Sequence, residues 1–303
     1  MLIPLGILAS AGGVLNGVAG YLAGGLTTAS SQLSIIDKLD FETETKSTLA
    51  ATLTAAKIAS AGLTNSNVAG YSGGGQAGAS YVSTVDKIAY SNDAKSTLGT
   101  GLTAITAYLA GASDSGVAGY FGGGDSSGRL TRVDKFAFPG DSRSTLGTGL
   151  SVARFALAGL SNYGVAGYFA GGDSGSASTT VDKFAFPSDT RSTLGTGLSS
   201  GTWYNLIGLA NQGIAGYFGL NSTSVDKFAF PSDTRSTFVF GVNRDTAGSL
   251  ENRAIAGYVA GGGSTFTNAI EKLSYINDSR STLAATLTQV KGYMSSFSNS
   301  GSL

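Results

Sequence analysis

The amino-acid sequence predicts an all-β protein, a six-bladed β-propeller in which each blade is a four-stranded antiparallel sheet. Three short phrases recur in fixed order along nearly the whole chain of 303 residues, and successive copies lie 41 to 50 residues apart. Such a period is typical of a repeat array and not of an ordinary globular enzyme. The composition agrees, because 46 glycines and many Ser, Thr, Val, Phe and Tyr residues favour strands and tight turns over helices.

The three phrases define the repeat. The first is an apolar run ending in Ala-Gly-Tyr, the second is a hydrophobic residue followed by an acid and a lysine, and the third is a base followed by Ser-Thr. The tyrosines are Tyr21, Tyr71, Tyr120, Tyr168, Tyr217 and Tyr258. The acids are Asp37, Asp86, Asp134, Asp182, Asp226 and Glu271. The bases are Lys46, Lys95, Arg143, Arg191, Arg235 and Arg280. We expect all of them to build blades, with each acid and its lysine reaching across a gap between blades or to a turn amide.

The unit around Tyr168 illustrates the predicted strands. Residues 152–160 and 165–170 are apolar runs of strand length, and the intervening 161–164 contains the Asn and Gly that suit a hairpin turn. The glycine-rich residues 171–175 interrupt the pattern, and a third strand is predicted over 180–187.

The third strand predicts how units pack against each other. Alternation places Asp182 and Phe184 on one face and Val181 and Lys183 on the other, so both faces carry apolar groups. A small sheet that is apolar on both faces must be covered on both, as when it lies between two like neighbours. With a fourth strand over 192–198, each unit is a meander, and six units arranged radially form a propeller.

The two ends of the chain provide an independent argument for a ring. Residues 287–301 match the first strand of a unit and its turn, whereas the first unit begins with a second strand at 18–21. Pairing of the C-terminal strand with the N-terminal one therefore closes the ring and leaves no open edge.

Residues 1–13 are apolar and are predicted to form a segment separate from the propeller domain, which spans residues 14–303. The segment lacks the positive charge of a secretory signal, since the first base is Lys38. It is also too short to span a bilayer. We therefore expect it to stay on the mature protein and to act as a tether.

Composition narrows the functional classes. Nineteen basic residues balance nineteen acidic ones and alternate with them, so nucleic acid is not an expected partner. The chain contains no histidine, which removes the commonest general base and zinc ligand, and no cysteine. We expect a non-enzymatic protein with no cofactor and no metal site.

The glycine-rich loops are predicted to be turns between strands. Residues 122–124 are followed neither by a helix pattern nor by a lysine at the offset that a phosphate-binding loop needs. Asp114, Asp125 and Asp173 lie in Gly/Ser-rich stretches, and calcium binding there is the minor alternative, because a calcium loop needs several oxygen ligands at close spacing.

Four aromatic residues break the repeat. Tyr163, Trp203, Tyr204 and Phe266 depart from the repeat pattern, and such departures are where a grafted site would be found. Packing variation between blades is the preferred explanation; the alternative is that these residues stack on a sugar or on a partner protein. Acids from different blades meeting at the central channel would allow glycoside cleavage, although no pair is singled out.

The order of phrases resembles the kelch repeat of β-propellers over residues 14–303. The resemblance rests on Gly-Tyr and Gly-Gly at 167–172, followed by Val-Asp-Lys-Phe at 181–184. The chain departs from kelch in lacking a tryptophan in the fourth strand, and residues 219–221 replace the double glycine of the fifth unit.

Residues 2–13 resemble the start of many structural proteins of tailed bacteriophages, and repeats of this style are similar to those of virion appendages. The resemblance implies a structural protein of a phage virion, in a tail, fibre or capsid appendage, that binds protein or glycan and acts in host recognition. Its implied partners are other virion proteins, reached through the N-terminal segment, host-surface glycan and further copies in a homo-oligomer. The alternative is a secreted, extracellular glycan-binding or glycan-cleaving bacterial propeller, and a third possibility is an intracellular peptide-binding scaffold.

Overall fold

A computed structural model describes residues 18–201, 206–219 and 222–300, and the regular structure within these ranges is entirely β. Six four-stranded antiparallel sheets are arranged as the blades of a propeller, which confirms the predicted fold class. The predicted tether at residues 1–13 and the aromatic residues Trp203 and Tyr204 lie outside the described residues.

We number the blades by their repeat tyrosines in chain order and count strands from the axis outward. The first strands are Ser295–Asn299, Ala61–Asn65, Ala110–Asp114, Ala158–Asn162, Ile207–Asn211 and Gly248–Asn252. The second strands are Ala19–Ala23, Ala69–Gly73, Ala118–Gly122, Ala166–Ala170, Ala215–Gly219 and Ala256–Ala260. The third strands are Ile36–Asp40, Val85–Ala89, Val133–Ala137, Val181–Ala185, Ser224–Ala229 and Ala269–Ser274. The fourth strands are Lys46–Thr48, Lys95–Thr97, Ser142–Thr145, Thr190–Thr193, Thr234–Val239 and Arg280–Thr286. Two short pairs join Leu26–Thr27 to Lys291–Gly292 and Gln76–Ala77 to Ser80–Tyr81.

The propeller has two unlike faces. The turns between first and second strands and between third and fourth strands lie at one end of every blade, which we call the turn face. The loops between second and third strands, and the connectors from one blade to the next, lie at the other end, which we call the connector face.

The ring closes through blade 1, as predicted. Its first strand, Ser295–Asn299, pairs antiparallel with the second strand, Ala19–Ala23, and Phe297 lies opposite Tyr21. One blade is therefore built from both ends of the chain, and its sheet has the same four strands as the other five.

Two predicted strands of blade 4 were wrong in extent. The first strand is Ala158–Asn162 and not 152–160, because Arg154 turns its buried guanidinium inward, so this part of the apolar run is a connector under the blade. The fourth strand is Thr190–Thr193 and not 192–198. Leu198 lies beyond it, where its side chain is buried in the core and its N–H donates to the Thr179 carbonyl (2.8 Å). Hydropathy alone does not separate a buried connector from a buried strand.

The gaps between blades are filled by aromatic pairs. Each repeat tyrosine stacks on the ring that follows the third strand of the next blade, with centroids 5.2 to 5.5 Å apart. The pairs are Tyr21–Tyr90, Tyr71–Phe138, Tyr120–Phe186, Tyr168–Phe230, Tyr217–Tyr275 and Tyr258–Phe41. Stacked rings at this distance add to the free energy gained by burying their area.

The first strands approach one another backbone to backbone around the axis. Blades 2 to 5 have a glycine at the second position of this strand, at Gly62, Gly111, Gly159 and Gly208. A Cβ at Gly111 would collide with the carbonyl oxygen of Gly62, and one at Gly62 with the carbonyl of Ser296. Neighbouring blades are this close only because no side chain stands between them.

Replacing one of these glycines is therefore expected to open the ring. We predict that Gly111→Ala lowers the free energy of unfolding by about 1–3 kcal/mol or more, because the obstructing atom belongs to backbone that cannot move aside. Gly147→Ala in the same blade is the matched control, since a Cβ there meets nothing within 4 Å. Urea denaturation of both variants measures the effect. Equal stabilities would contradict the backbone contact.

Candidate functional site

The repeat tyrosines and lysines form identical clamps between blades. Tyr21 Oη donates a hydrogen bond to Asp93 Oδ1 (2.8 Å), and Lys38 Nζ donates to Asp93 Oδ2 (2.8 Å) while lying 5.3 Å from the centre of the Tyr21 ring. Asp93 sits in the outer turn of the next blade with a left-handed φ of 56°. The other clamps join Tyr71 and Lys87 to Asp141, Tyr120 and Lys135 to Asp189, Tyr168 and Lys183 to Asp233, Tyr217 and Lys227 to Asp278, and Tyr258 and Lys272 to Glu44. The last of these runs from blade 6 to blade 1 and completes the circle.

The repeat acids have a different task, which is to fasten each connector to its blade. Asp86 is fully buried; it accepts hydrogen bonds from Thr97 Oγ1 of its own fourth strand (2.9 Å) and from Thr54 Oγ1 and N–H of the incoming connector (2.5 and 3.2 Å). Lys57 Nζ lies 3.6 Å from the same carboxylate and donates to the Ser72 carbonyl (3.1 Å). Threonines accordingly meet the other repeat acids at Thr48, Thr145, Thr193, Thr237 and Thr282.

These contacts keep the carboxyl group of Asp86 ionised. Burial by itself would raise the pKa of Asp86, but the hydroxyl of Thr54, the charge of Lys57 and the hydroxyl of Thr97 hold it below its ordinary value. Burial lowers the pKa of Lys57 to about 8, with Asp86 acting in the opposite direction. The repeat carboxylates are thus engaged by hydrogen bonds from within the protein.

The central channel is lined by the first strands and encloses a cavity of about 140 Å³. One level of its wall is a hydrogen-bonded circle of hydroxyls. Thr64 N–H donates to Ser113 Oγ (2.9 Å), Ser113 N–H donates to Ser161 Oγ (2.6 Å), and Ser298 N–H donates to Thr64 Oγ1 (3.1 Å). Each hydroxyl that accepts from a neighbouring blade still has its own O–H to offer, so the wall is polar and uncharged.

Two blades have no hydroxyl at this level of the channel wall, where Ala210 and Glu251 take its place. Glu251 is the one ionisable carboxyl among the described residues that line the channel. Its N–H donates to Ser298 Oγ (2.9 Å), while its side chain accepts from Gln212 Nε2 (3.5 Å) and from the N–H of Ala210. Burial raises the pKa of Glu251 to about 8, and the hydrogen bonds from Ala210 and Gln212 oppose the rise. The paired carboxylates that glycoside cleavage requires are not formed by the described lining residues.

A collar of backbone hydrogen bonds surrounds the channel on the connector face. Ala59 N–H donates to the Tyr293 carbonyl (3.0 Å), and Tyr108 N–H donates to the Ala59 carbonyl (2.8 Å). Ala156 N–H continues the chain to the Tyr108 carbonyl (2.8 Å), and Tyr293 N–H donates to the Thr246 carbonyl (2.7 Å). These five residues precede first strands and have left-handed φ angles of 53° to 63°.

Aromatic residues stand on this collar and beside it. Tyr108 makes edge contacts with Tyr81, Phe155 and Tyr293, and Tyr293 makes one with Phe266, with ring centres 5.9 to 6.5 Å apart. We call these five half-buried rings the aromatic arc. A left-handed φ is strained for a bulky residue, and such strain is typical of functional positions.

Polar groups flank the arc. Asp125 accepts from Tyr81 Oη (2.8 Å) and from Gly128 N–H (2.7 Å). Arg129 lies 5.6 Å from the centre of the Phe155 ring and forms an ion pair with Asp173 (2.9 Å). The mouth of the channel therefore presents exposed aromatic surface beside fixed donors and acceptors, an arrangement that suits a ligand with both apolar and hydroxyl faces.

The structure separates the aromatic residues that the sequence singled out. Phe266 belongs to the aromatic arc, whereas Tyr163 lines the far end of the channel, where its N–H donates to Gln212 Oε1 (2.8 Å). Burial and then the charge of Glu251 raise the pKa of Tyr163. Sequence reasoning missed Tyr108 and Tyr293, although alignment of the repeats places them where other units have Ala59 or Ala156.

The aspartates considered for calcium are used within the protein. Asp114 ends a first strand and accepts from Gly164 N–H (2.8 Å), and Asp125 and Asp173 make the contacts given above. Among the residues that the structure describes, no group of three or more acidic side chains is placed to hold a metal ion. Over the same residues, no helix has the length and apolar character needed to cross a membrane.

Comparison with known proteins identifies the fold of the chain but not a family. No protein-family model and no curated protein matches the sequence. In contrast, 635 chains of solved structures match the fold. Among them is the structure of YjhT, which superposes with a TM-score of 0.62 at 14% sequence identity and covers 80% of this chain and 87% of that chain.

The raised pKa of Glu251 predicts a pH dependence of stability. The folded protein retains this proton between pH 4.5, the ordinary value, and about 8, whereas the unfolded chain loses it. The contribution of Glu251 to stability is therefore fully present below pH 4.5 and declines as the pH rises to about 8. Glu251→Gln removes that decline.

We expect Glu251→Gln to gain stability relative to the wild type as the pH rises across this window, and the difference to level off above it. Urea denaturation of both proteins at several pH values between 4.5 and 9 measures the difference. A difference independent of pH would contradict a protonated Glu251 in the channel.

Proposed function

We propose that the protein is a non-enzymatic structural module of a phage particle, a kelch-like propeller that binds host-surface glycan through the mouth of its central channel. The observation that carries the binding proposal is the aromatic arc on the connector face. It breaks the six-fold repeat at one end of the polar channel, while the repeat residues are engaged in holding blades together.

Sugar chemistry fits this mouth. The C–H face of a pyranose packs on aromatic rings such as Tyr108 and Tyr293, and its hydroxyls pair with groups such as the carboxylate of Asp125. The cavity of about 140 Å³ is smaller than the roughly 300–1,000 Å³ of typical small-molecule pockets. The ligand would therefore lie across the mouth, with only an end group entering the channel.

A non-enzymatic module that presents a binding surface requires a rigid scaffold and no catalytic residues. Six clamps and a blade built from both chain ends hold the arc on a closed ring. The particle role itself is supported by the sequence resemblance, with residues 1–13 as the tether to other particle proteins, and copies assembling as a homo-oligomer would present several mouths together.

Removing an aromatic face is expected to weaken glycan binding. We predict that Tyr108→Ala and Tyr293→Ala each lower affinity about tenfold or more, since stacking contacts of this kind are binding hot spots. Tyr108→Phe, which keeps the ring, is the matched control and should bind within about threefold of the wild type. The wild type is first screened on an array of bacterial surface glycans, and its best oligosaccharide is titrated by calorimetry. Absence of any glycan ligand, or full binding by Tyr108→Ala, would refute the glycan site.

Location on a particle is tested separately. We expect mass spectrometry of purified phage particles to recover peptides of the protein, including one that begins at Met1 or Leu2. Recovery only from the culture medium, with an N-terminus created by cleavage near Ala11, would instead identify the secreted alternative.

A further inference from the structure

The central channel contains one acid whose hydrogen-bond partners in the described part of the chain are uncharged. Glu251 lines the cavity of about 140 Å³ at the level of the circle of hydroxyls. Its carboxylate accepts from the N–H of Ala210 and from Gln212 Nε2 (3.5 Å), and no positive charge of the described residues acts on it. An ionised carboxylate has about four acceptor sites, so part of its capacity remains for a ligand in the channel.

Glu251 occupies the place of a hydroxyl in the circle. It is the fourth residue of its first strand, and the equivalent residues of the other blades are Thr64, Ser113, Ser161, Ala210 and Ser298. The N–H of Ser113 donates to a hydroxyl of the next blade, and the N–H of Ala210 donates instead to the carboxylate of Glu251. The contact fixes the carboxylate at the channel wall by the same backbone geometry that fixes the hydroxyls.

The charged and titratable groups around Glu251 do not compensate its charge. Arg253 stands two residues later in the same hairpin; its charge acts on Tyr163 but is not among the groups that act on Glu251. Burial raises the pKa values of Tyr163 and Tyr275, and the charge of Glu251 adds to both, so these phenols are uncharged at neutral pH. The ionised carboxylate therefore needs a cation from outside the protein.

We propose that the central channel binds one monovalent cation, sodium or potassium, at the carboxylate of Glu251. A single carboxylate among neutral oxygens matches a single positive charge, whereas calcium is bound with several carboxylates. Hydroxyls of the circle supply further oxygen ligands, such as that of Ser298, whose Oγ accepts from the Glu251 N–H (2.9 Å). The cavity also has room for waters that complete the coordination shell.

Proton and cation compete for the same carboxylate. Taking an unpaired carboxylate out of water is costly, so a buried acid either keeps its proton or pairs with a cation. Burial raises the pKa of Glu251 to about 8, so the cation must displace a proton at neutral pH. Binding is therefore expected to strengthen as the pH rises to about 8 and to change little above it. The decline in stability that ionisation of Glu251 causes should be smaller when the cation is present.

The cation site is separate from the aromatic arc and does not depend on the glycan proposal. Glu251 follows the collar residue Thr246 by five residues, which in an extended strand is about 16 Å along the channel. A ligand lying across the mouth therefore does not reach the carboxylate.

Titration of the Glu251 carboxyl by nuclear magnetic resonance tests the proposal. The chain has four glutamates, so carbon-13 labelling of their side-chain carboxyls gives few signals, and Glu251→Gln identifies the one in the channel. In N-methylglucamine chloride the midpoint is expected at about pH 8. In sodium or potassium chloride of the same ionic strength we expect the midpoint to fall by about one pH unit or more, because a nearby cation favours the carboxylate.

Glu271 is the internal control for this titration. Its carboxylate already pairs with Arg244 and Arg280 (2.8 Å each), so its midpoint should be the same in all the salts. An equal midpoint for Glu251 in every salt would show that the carboxyl holds only a proton and would overturn the proposal. A larger fall in calcium chloride than in sodium or potassium chloride would contradict a monovalent site.

Urea denaturation at pH 9 provides a second test. Sodium or potassium chloride is expected to raise the wild-type midpoint above that in N-methylglucamine chloride, because a ligand that binds only the folded state stabilises it. The gain should shrink at pH 5, where Glu251 keeps its proton, and should be absent from Glu251→Gln at both pH values. Equal gains in the two proteins would identify a general salt effect and refute the site. Oligosaccharide titration of Glu251→Gln separates this result from the glycan proposal, because binding at the mouth should be unaffected.

Discussion

The close approach of six first strands around one axis is the constraint on which the rest of the structure depends. Backbone carbonyls of one blade occupy the space where the next blade would otherwise have a side chain, as between Gly62 and Gly111. This approach brings N–H groups and hydroxyls of neighbouring blades within hydrogen-bonding distance, which produces both the collar and the circle of hydroxyls. It also leaves a channel whose cavity of about 140 Å³ is smaller than the roughly 300–1,000 Å³ of typical small-molecule pockets.

Farther from the axis, the gaps between blades widen. Neighbouring blades are held together there by side chains and not by backbone contacts. The stacked aromatic pairs and the clamps of tyrosine, lysine and acid lie in these wider gaps. Each pair of neighbouring blades has one stacked aromatic pair and one clamp, and the ring is closed only if the last blade makes the same contacts with the first. The clamp from Tyr258 and Lys272 to Glu44, together with the strand Ser295–Asn299, satisfies that condition.

Much of the fold could be predicted from the sequence because the same three phrases occur in all six units. Spacing of the three phrases indicates the blades, and the surplus strand at 287–301 indicates closure. The clamp acids, such as Asp93, recur two residues before each repeat base, but the sequence does not show that their partners lie on another blade. The connector around Arg154 was likewise predicted as a strand, because its apolar residues continue into the first strand of the blade. At the site, Phe266 could be identified as a departure from the repeat. Tyr108 could not, because its place in the aromatic arc depends on contacts with rings from three other blades.

Closure by both chain ends is the central claim, and native-state hydrogen exchange tests it most directly. If blade 1 is an equal member of the ring, amides of Ala19–Ala23 and Ser295–Asn299 should exchange with the same free energy of opening as those of Ala158–Asn162 and Ala166–Ala170 in blade 4. Markedly faster exchange confined to the two terminal strands would show an open ring and contradict the account.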